Sequence, residues 1–297
     1  MGIFAYITWD VSPDIFSLGP LTIRWYGLLF ALAFVFGQRI LSRIYQAEGR
    51  TEKDVDIITI YMIVGTVVGA RLGHCLFYEP EYYLSNPLEI LKIWEGGLAS
   101  HGATVGILLA LWFFARKYQF NYLWVLDRIV IVVGLGGALI RLGNLMNSEI
   151  IGKITDVPWA FKFVRNNELI NGVAASMHPR HPAQLYEAIS SFLIFVFLYW
   201  LWSRRKALTP NGSLFGIFLV VLFALRFLYE FLKENQVDTE DYLLQTIGMN
   251  IGQLLSIPLV LAGILIWLWV NRHPRYGYRN LTAEELQQNR PTRPIVK

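Results

Sequence analysis

The chain has 297 residues, 55% of them hydrophobic and 15% aromatic, with only 16% charged and a mean hydropathy of +0.42, a composition that excludes a disordered chain and predicts a polytopic membrane protein. A single cysteine, Cys75, lies in an apolar run, which excludes a disulfide framework and a thiol pair for metal or redox chemistry. The net charge of +4 would suit nucleic acid, but the basic residues are spread over membrane-flanking loops rather than gathered in a patch.

The stretch before Leu21 carries Asp10 and Asp14 and no Lys or Arg, so it lacks the basic start of a cleavable signal peptide and the first span is expected to stay. Seven apolar stretches can cross about 30 Å of hydrocarbon: Thr22–Leu41, Ile57–Phe77, Leu98–Ala115, Ile129–Met146, Leu185–Trp202, Leu214–Leu232 and Ile251–Val270. The third is entered through Gly96-Gly-Leu-Ala-Ser-His101, which leaves room for a broken or re-entrant start. Lys and Arg set the orientation. The ends of spans one, three, five and seven and the loops after them hold 16 basic residues and the other side holds six, so the N-terminus is expected outside the cytoplasm and the C-terminus inside. Between spans four and five, about residues 147–184, an extracytoplasmic cap with short strands is expected, because Trp159, Phe161 and Phe163 alternate with smaller or polar neighbours. The predicted architecture is an all-α, seven-span membrane protein: one transmembrane domain over 1–270 with the cap inserted, then a polar, basic, solvated cytoplasmic tail over 271–297.

On this topology the unusual polar residues collect toward the extracytoplasmic ends of the spans. Tyr26 opens span one; Arg71 and His74 close span two; His101 opens span three; Arg141 and Asn144 close span four. His181, Gln184 and Glu187 open span five, Arg226 and Glu230 close span six, and Gln253 opens span seven. A shared, partly wet cavity accounts for amides and carboxylates at one depth better than scattered snorkelling does. An arginine well inside a membrane helix costs about 2.5–3.5 kcal/mol on insertion scales, so Arg141 is a functional candidate, the bland reading being a snorkelling interfacial arginine. It shares a helix face with Asn144, and Asn147 and Glu149 follow at the helix end. Arg226 and Glu230 stand at i, i+4 and can pair, either structurally or as part of a site. A lone histidine near a helix start, such as His101, is often a hydrogen-bonded structural residue. His178 and His181 have no Asp, Glu or Cys nearby at ligand spacing, so no metal site is expected.

Four ordered motifs carry a family resemblance: Gly96 to Gly102, Arg-x-Gly-Asn-x-x-Asn-x-Glu-x-x-Gly from Arg141 to Gly152, Arg-His-Pro-x-Gln-Leu-Tyr-Glu from Arg180 to Glu187, and Arg226 to Glu230 followed by Gly252 to Pro258. With Trp25-Tyr26-Gly27, they make the chain resemble bacterial prolipoprotein diacylglyceryl transferases from about Ile15 to Trp269. It departs from that family's usual pattern at Ile140, Leu145 and Ala103 and in Lys233-Glu-Asn-Gln after the late glutamate.

The resemblance implies transfer of the diacylglyceryl group of phosphatidylglycerol to the thiol of the lipobox cysteine in a preprolipoprotein signal peptide, releasing glycerol 1-phosphate, the first step of lipoprotein maturation. It implies a monomeric enzyme of the bacterial inner membrane, working at the extracytoplasmic leaflet with no cofactor and no metal. His101, Arg141 and Arg226 become the expected catalytic residues. Tyr26, Asn144, Asn147, Glu149, Gly152, Glu230, His181 and Gln184 become the expected substrate-binding ones. The chemistry agrees: a leaving phosphate gains negative charge, which fixed guanidinium groups stabilise, and the incoming thiol needs a base because its thiolate is the nucleophile. A transporter for an anionic solute is the rival from another class; it should carry polar residues through the cytoplasmic half of the spans, and that half is apolar. The motifs of intramembrane proteases are absent.

Overall fold

The computed structural model describes residues 6–19, 21–170, 172–234 and 246–288. Arg290, Arg293 and Lys297 of the expected basic tail, and residues 235–245, among them Asn235 and Gln236 of the departure after the late glutamate, lie outside the described residues. All seven predicted stretches are helical: α1 (Trp25–Ala47), α2 (Glu52–Phe77), α4 (Ser100–Lys117), α5 (Tyr122–Met146), α6 (Ala183–Arg205), α7 (Ser213–Tyr229) and α8 (Ile251–Arg272). Among the described residues, the short helices α3 (Pro80–Ser85) and α9 (Ala283–Gln288) lie between and after them. Among the described residues, five helices are long and apolar enough to cross a membrane: α1, α2, α5, α6 continued to Leu208, and α8. The other two fall short for different reasons. α7 has 17 residues, a rise of about 26 Å at 1.5 Å per residue, and α4 is 18 residues long with His101, Arg116 and Lys117 inside it.

The chain divides into two compact units, the first formed by residues 1–37, 130–204 and 213–272 and the second by 38–129, 205–212 and 273–297. In the first unit the chain starts with strands, not with the helix expected from Thr22. Asp14–Leu18 (β2) pairs antiparallel with Leu21–Arg24 (β3), and α1 begins only at Trp25. The β-branched Thr22 and Ile23 suit a strand, and Ser17 and Thr22 join their hydroxyls across it at 3.0 Å. Ile7–Trp9 (β1) pairs in parallel with Phe161–Phe163 (β4), where Phe161 and Phe163 point inward and Lys162 does not. Trp159, grouped with them by alternation, is exposed because it precedes the strand. The small core beneath is Leu145, Ile151, Phe161, Phe163 and Ala175, with Trp9 against it; the Trp9 indole donates to the Leu145 carbonyl at 3.0 Å. Leu169–Ile170 (β5) and Val173–Ala174 (β6) close a hairpin above this core.

The second unit is built on α2 and α4, which meet through small residues. A Cβ on Gly69 would stand 2.5 Å from the Gly102 carbonyl oxygen, one on Gly73 2.6 Å from the Gly102 Cα, and one on Gly65 2.7 Å from the Gly106 oxygen. Gly65, Gly69 and Gly73 recur every fourth residue, so one face of α2 is bare backbone, and van der Waals contact pairs the helices where lipid offers no hydrophobic drive. Thr51 starts α2 with a capping box, its side chain accepting from the Asp54 amide while the Asp54 carboxylate accepts from the Thr51 amide. Arg71, expected in the polar layer, is buried and structural. Its guanidinium donates to the carbonyls of Glu89 (2.6 Å), Ile90 (2.9 Å) and Gly96 (2.7 Å) and so holds the irregular entry to α4. At the other end, Arg128 and Trp124 both donate to Glu48, each with a contact at 2.8 Å. Residues 273–282 are not a free tail: Asn121 donates its amide to the Tyr278 carbonyl at 2.6 Å, and Asn211 bonds the carbonyls of Arg275 and Gly277, both at 2.8 Å.

Candidate active site

The first unit gathers most of the polar residues singled out above. The last turns of α5 present Arg141 and Asn144, and Ser148 and Ile150 then hold left-handed backbone at φ 53° and 57°. A β-branched residue in that region is strained. The reversal is paid for by bonds on both sides of Glu149: its amide donates to the Asn144 carbonyl at 3.1 Å, the buried Gln184 amide donates to its carbonyl at 2.5 Å, and Asn166 donates to the Ser148 carbonyl at 2.7 Å. The consequence is a fixed carboxylate. Asn144 and Asn147 donate to Glu149 Oε1 at 2.7 and 3.2 Å, and Arg141 Nη1 donates to Asn144 Oδ1 at 3.3 Å. Tyr26, in the first turn of α1, lies against Gly143, whose Cβ would meet the phenol ring at 2.7 Å, and its hydroxyl is within electrostatic reach of Glu149 and Arg141.

From Arg141 the polar chain continues through two residues that were outside the expected site. Arg141 Nε stands 2.5 Å from Glu187 Oε2, off the N–H axis, so this is a charge pair rather than a directed hydrogen bond. Glu187 Oε1 is 2.5 Å from Lys233 Nζ, which is 3.3 Å from Glu230 Oε1, and Glu230 faces Arg226 at 3.7 Å. Asn250 and Gln253 cap α8 reciprocally, Asn250 Oδ1 accepting from the Gln253 backbone amide at 2.8 Å and Gln253 Oε1 from that of Asn250 at 3.1 Å, which leaves Asn250 Nδ2 to donate to Glu230 Oε2 at 3.1 Å. Gly252 makes the room, since a Cβ there would be 2.5 Å from the Glu230 carboxyl carbon. Glu187 and Lys233 had a local signal: Glu187 lies one turn beyond Gln184, and Lys233 one turn beyond Glu230.

The network therefore holds three cations and three carboxylates, unequally exposed. The side chains of Glu187, Glu230 and Lys233 are 9%, 10% and 7% exposed, whereas those of Arg141 and Arg226 are 30% and 38% exposed. Two guanidinium groups thus face outward over a buried framework that fixes them, an arrangement suited to an anion with several oxygens.

Two expected residues stand apart from this chain of contacts. His181 Nδ1 is 3.1 Å from the Tyr186 hydroxyl, which also accepts from the Trp159 indole at 2.8 Å, and burial lowers the imidazole pKa from its ordinary value. Gly152 underlies it: its Cβ would meet His181 Cβ and O at 2.6 Å and the Leu232 oxygen at 2.8 Å, so only glycine lets these three segments converge. His101 belongs to the second unit, exposed in the first turn of α4 beside the glycine that touches Gly73.

The family model for prolipoprotein diacylglyceryl transferase matches residues 13–269. Among curated proteins, the phosphatidylglycerol–prolipoprotein diacylglyceryl transferase of Chloroherpeton thalassium is 51% identical over 266 residues, covering 88% of this chain and 93% of its own. Those of Tolumonas auensis and Porphyromonas gingivalis are 49% and 45% identical, covering 88% and 91% of this chain and 96% of each relative. With a match that runs through every residue of the polar network, the chain belongs to the prolipoprotein diacylglyceryl transferase family.

Proposed function

We propose that this protein transfers the diacylglyceryl group of phosphatidylglycerol to the cysteine thiol of a prolipoprotein. The observation that carries the reading is the pair of outward guanidinium groups, Arg141 and Arg226, each backed by a buried carboxylate. In the reaction the thiolate sulfur forms a bond to the glycerol carbon, the bond from that carbon to the phosphate oxygen breaks, and its electron pair leaves on glycerol 1-phosphate. The phosphate gains charge as the bond breaks, so guanidinium groups already held in place favour the transition state over the ground state. Their buried partners keep them from reorganising when that charge appears, and Glu149, Asn144 and Asn147 offer acceptor and donor groups to headgroup hydroxyls. Tyr26, Gly152, His181 and Gln184 border the same machinery and shape it. For His101, the role of accepting the thiol proton is a proposal that rests on the sequence, supported by an exposed imidazole at a glycine-packed helix start.

The reading places a monomer in the bacterial cytoplasmic membrane with seven spans, α4 and α7 joining the five longer helices. The 16-to-6 distribution of basic residues supports an external N-terminus and a cytoplasmic C-terminus, with the polar network at the extracytoplasmic leaflet. The test is to incubate the purified protein with phosphatidylglycerol and a lipobox peptide and to look by mass spectrometry for a thioether-linked diacylglyceryl on the cysteine. Wild type should form it and Arg141→Ala should not; a wild-type preparation that binds phosphatidylglycerol yet forms no adduct overturns the assignment.

A further inference from the structure

We propose that the second unit carries a separate binding site for the phosphate headgroup of an anionic glycerophospholipid, where α4 gives way to α5. A hollow of about 550 Å³ opens there, lined among others by Trp112, Arg116, Asn121, Tyr122 and Arg279 and by no acidic residue. Arg116 and Arg279 have no carboxylate partner among the described residues; aromatic rings place them instead, Arg116 Cζ 5.1 Å from the Trp112 ring and Arg279 Cζ 5.4 Å from that of Tyr278. These two guanidinium groups come from distant parts of the chain. Arg279 is brought to the hollow because Tyr278 is fixed, its carbonyl accepting from the Asn121 amide and its ring lying 4.4 Å from Arg50 Cζ.

A charged hollow alone would suit any phosphate; the face of α4 leading into it selects a lipid. Val105, Leu109, Trp112 and Arg116 follow one another at helical spacing on one face. Val105 and Leu109 are 59% and 52% exposed, so an acyl chain can lie along them while its headgroup reaches Arg116. Guanidinium–phosphate contacts are charge-assisted and can be bidentate, and basic pockets at the cytoplasmic ends of membrane helices recognise anionic headgroups. The site rests on the reading that α4 crosses the membrane with its basic end in the cytoplasmic leaflet. A lipid held by both arginines would also tie the C-terminal segment to α4.

Cardiolipin is the probe, because phosphatidylglycerol would also occupy the substrate site. The purified, delipidated full-length protein is titrated with cardiolipin, phosphatidylethanolamine or inorganic phosphate, and bound lipid is counted by native mass spectrometry. Wild type and Arg141→Ala should both retain a cardiolipin that Arg116→Gln/Arg279→Gln binds about tenfold more weakly, while the double variant keeps transferring diacylglyceryl groups and is therefore folded. Equal cardiolipin affinity in the double variant and wild type overturns the site. Inorganic phosphate displacing cardiolipin at equal concentration overturns its assignment to a lipid. Loss of transfer in every protein with this lipid binding intact would instead count against the proposed function alone.

Discussion

Lys233 offers the sharpest test of whether the polar network acts as one unit. Its ammonium stands 2.5 Å from Glu187 and 3.3 Å from Glu230. At an effective dielectric of about 20, the contact with Glu187 amounts to about 6–7 kcal/mol of gross Coulomb attraction. Desolvation of both groups offsets much of this, so the net worth of the pair is far smaller than the cost of breaking it, about 3–5 kcal/mol when one buried charge loses its partner. Lys233→Met should therefore lower stability by about that amount, because Glu187 and Glu230 remain buried without the cation between them. Glu187→Gln should be costly on its own, as it takes the nearest carboxylate from both Arg141 and Lys233 and leaves Lys233 with Glu230 alone. The double variant should lose clearly less than the sum, with a coupling of about 2 kcal/mol, and Lys233→Arg should retain most of the stability. Unfolding in mixed detergent micelles, followed by circular dichroism, measures the four variants against wild type. Single-variant losses that add to within about 0.5 kcal/mol would refute the coupling, since that is how independent sites behave.

Arg141→Ala and Arg226→Ala should each lower turnover by at least about 10²-fold, the scale of a lost fixed donor, and lysine should rescue poorly because it cannot grip two phosphate oxygens; near wild-type turnover in the lysine variants refutes the clamp. Gly152→Ala should destabilise the protein by about 1–3 kcal/mol through overpacking, whereas Gly136→Ala, whose Cβ would meet only Ala33 at 3.8 Å, should be tolerated; equal melting temperatures for the two would contradict this. His101→Gln should change the shape of the activity–pH profile if His101 takes the thiol proton, with partial recovery at high pH as the thiol ionises unaided; superimposable, merely scaled profiles retire the base. Burial holds the His181 imidazole below its ordinary pKa, so the unfolded chain takes up a proton first. Its contribution to stability is complete above about pH 6.5 and falls as the pH drops from there through the folded value. His181→Gln should flatten that acid-side loss, and an unchanged slope below about pH 6.5 would show that another group causes it.

The helices were legible because a long apolar run in lipid has few ways to satisfy its backbone, and helical spacing alone put Arg141 with Asn144 and Arg226 with Glu230. What local pattern cannot show is contact between distant segments. Glu187 and Lys233 were each visible as charges near a helix end, but only the fold joins them into one bridge between the two arginines. The pairing of β1 with β4 was hidden for the same reason, being three residues long and having the whole of α1 to α5 between its strands in the chain. Arg71 was grouped with the polar residues by its position in the span alone, and only the fold shows that its guanidinium donates to the carbonyls of Glu89, Ile90 and Gly96. The glycines of α2 and α4 show as a four-residue repeat in each helix, but which helix faces which is a property of the fold.

Arg180 bears on the order in which the protein can be completed during synthesis. Its buried guanidinium donates to the carbonyls of Ala175 and Gly152 and, at 2.5 Å, to the Glu234 carboxylate. The first two partners leave the ribosome with the cap, but Glu234 follows only after α6 and α7 have been made. Until then the arginine has no counter-ion, and the strand-like contact of Gly152 and Lys153 with Leu232 and Lys233 cannot close. A nascent chain halted between α6 and α7 should carry a cap that proteases still cut, and protection should arrive with the same few residues that bring Lys233 to Glu187.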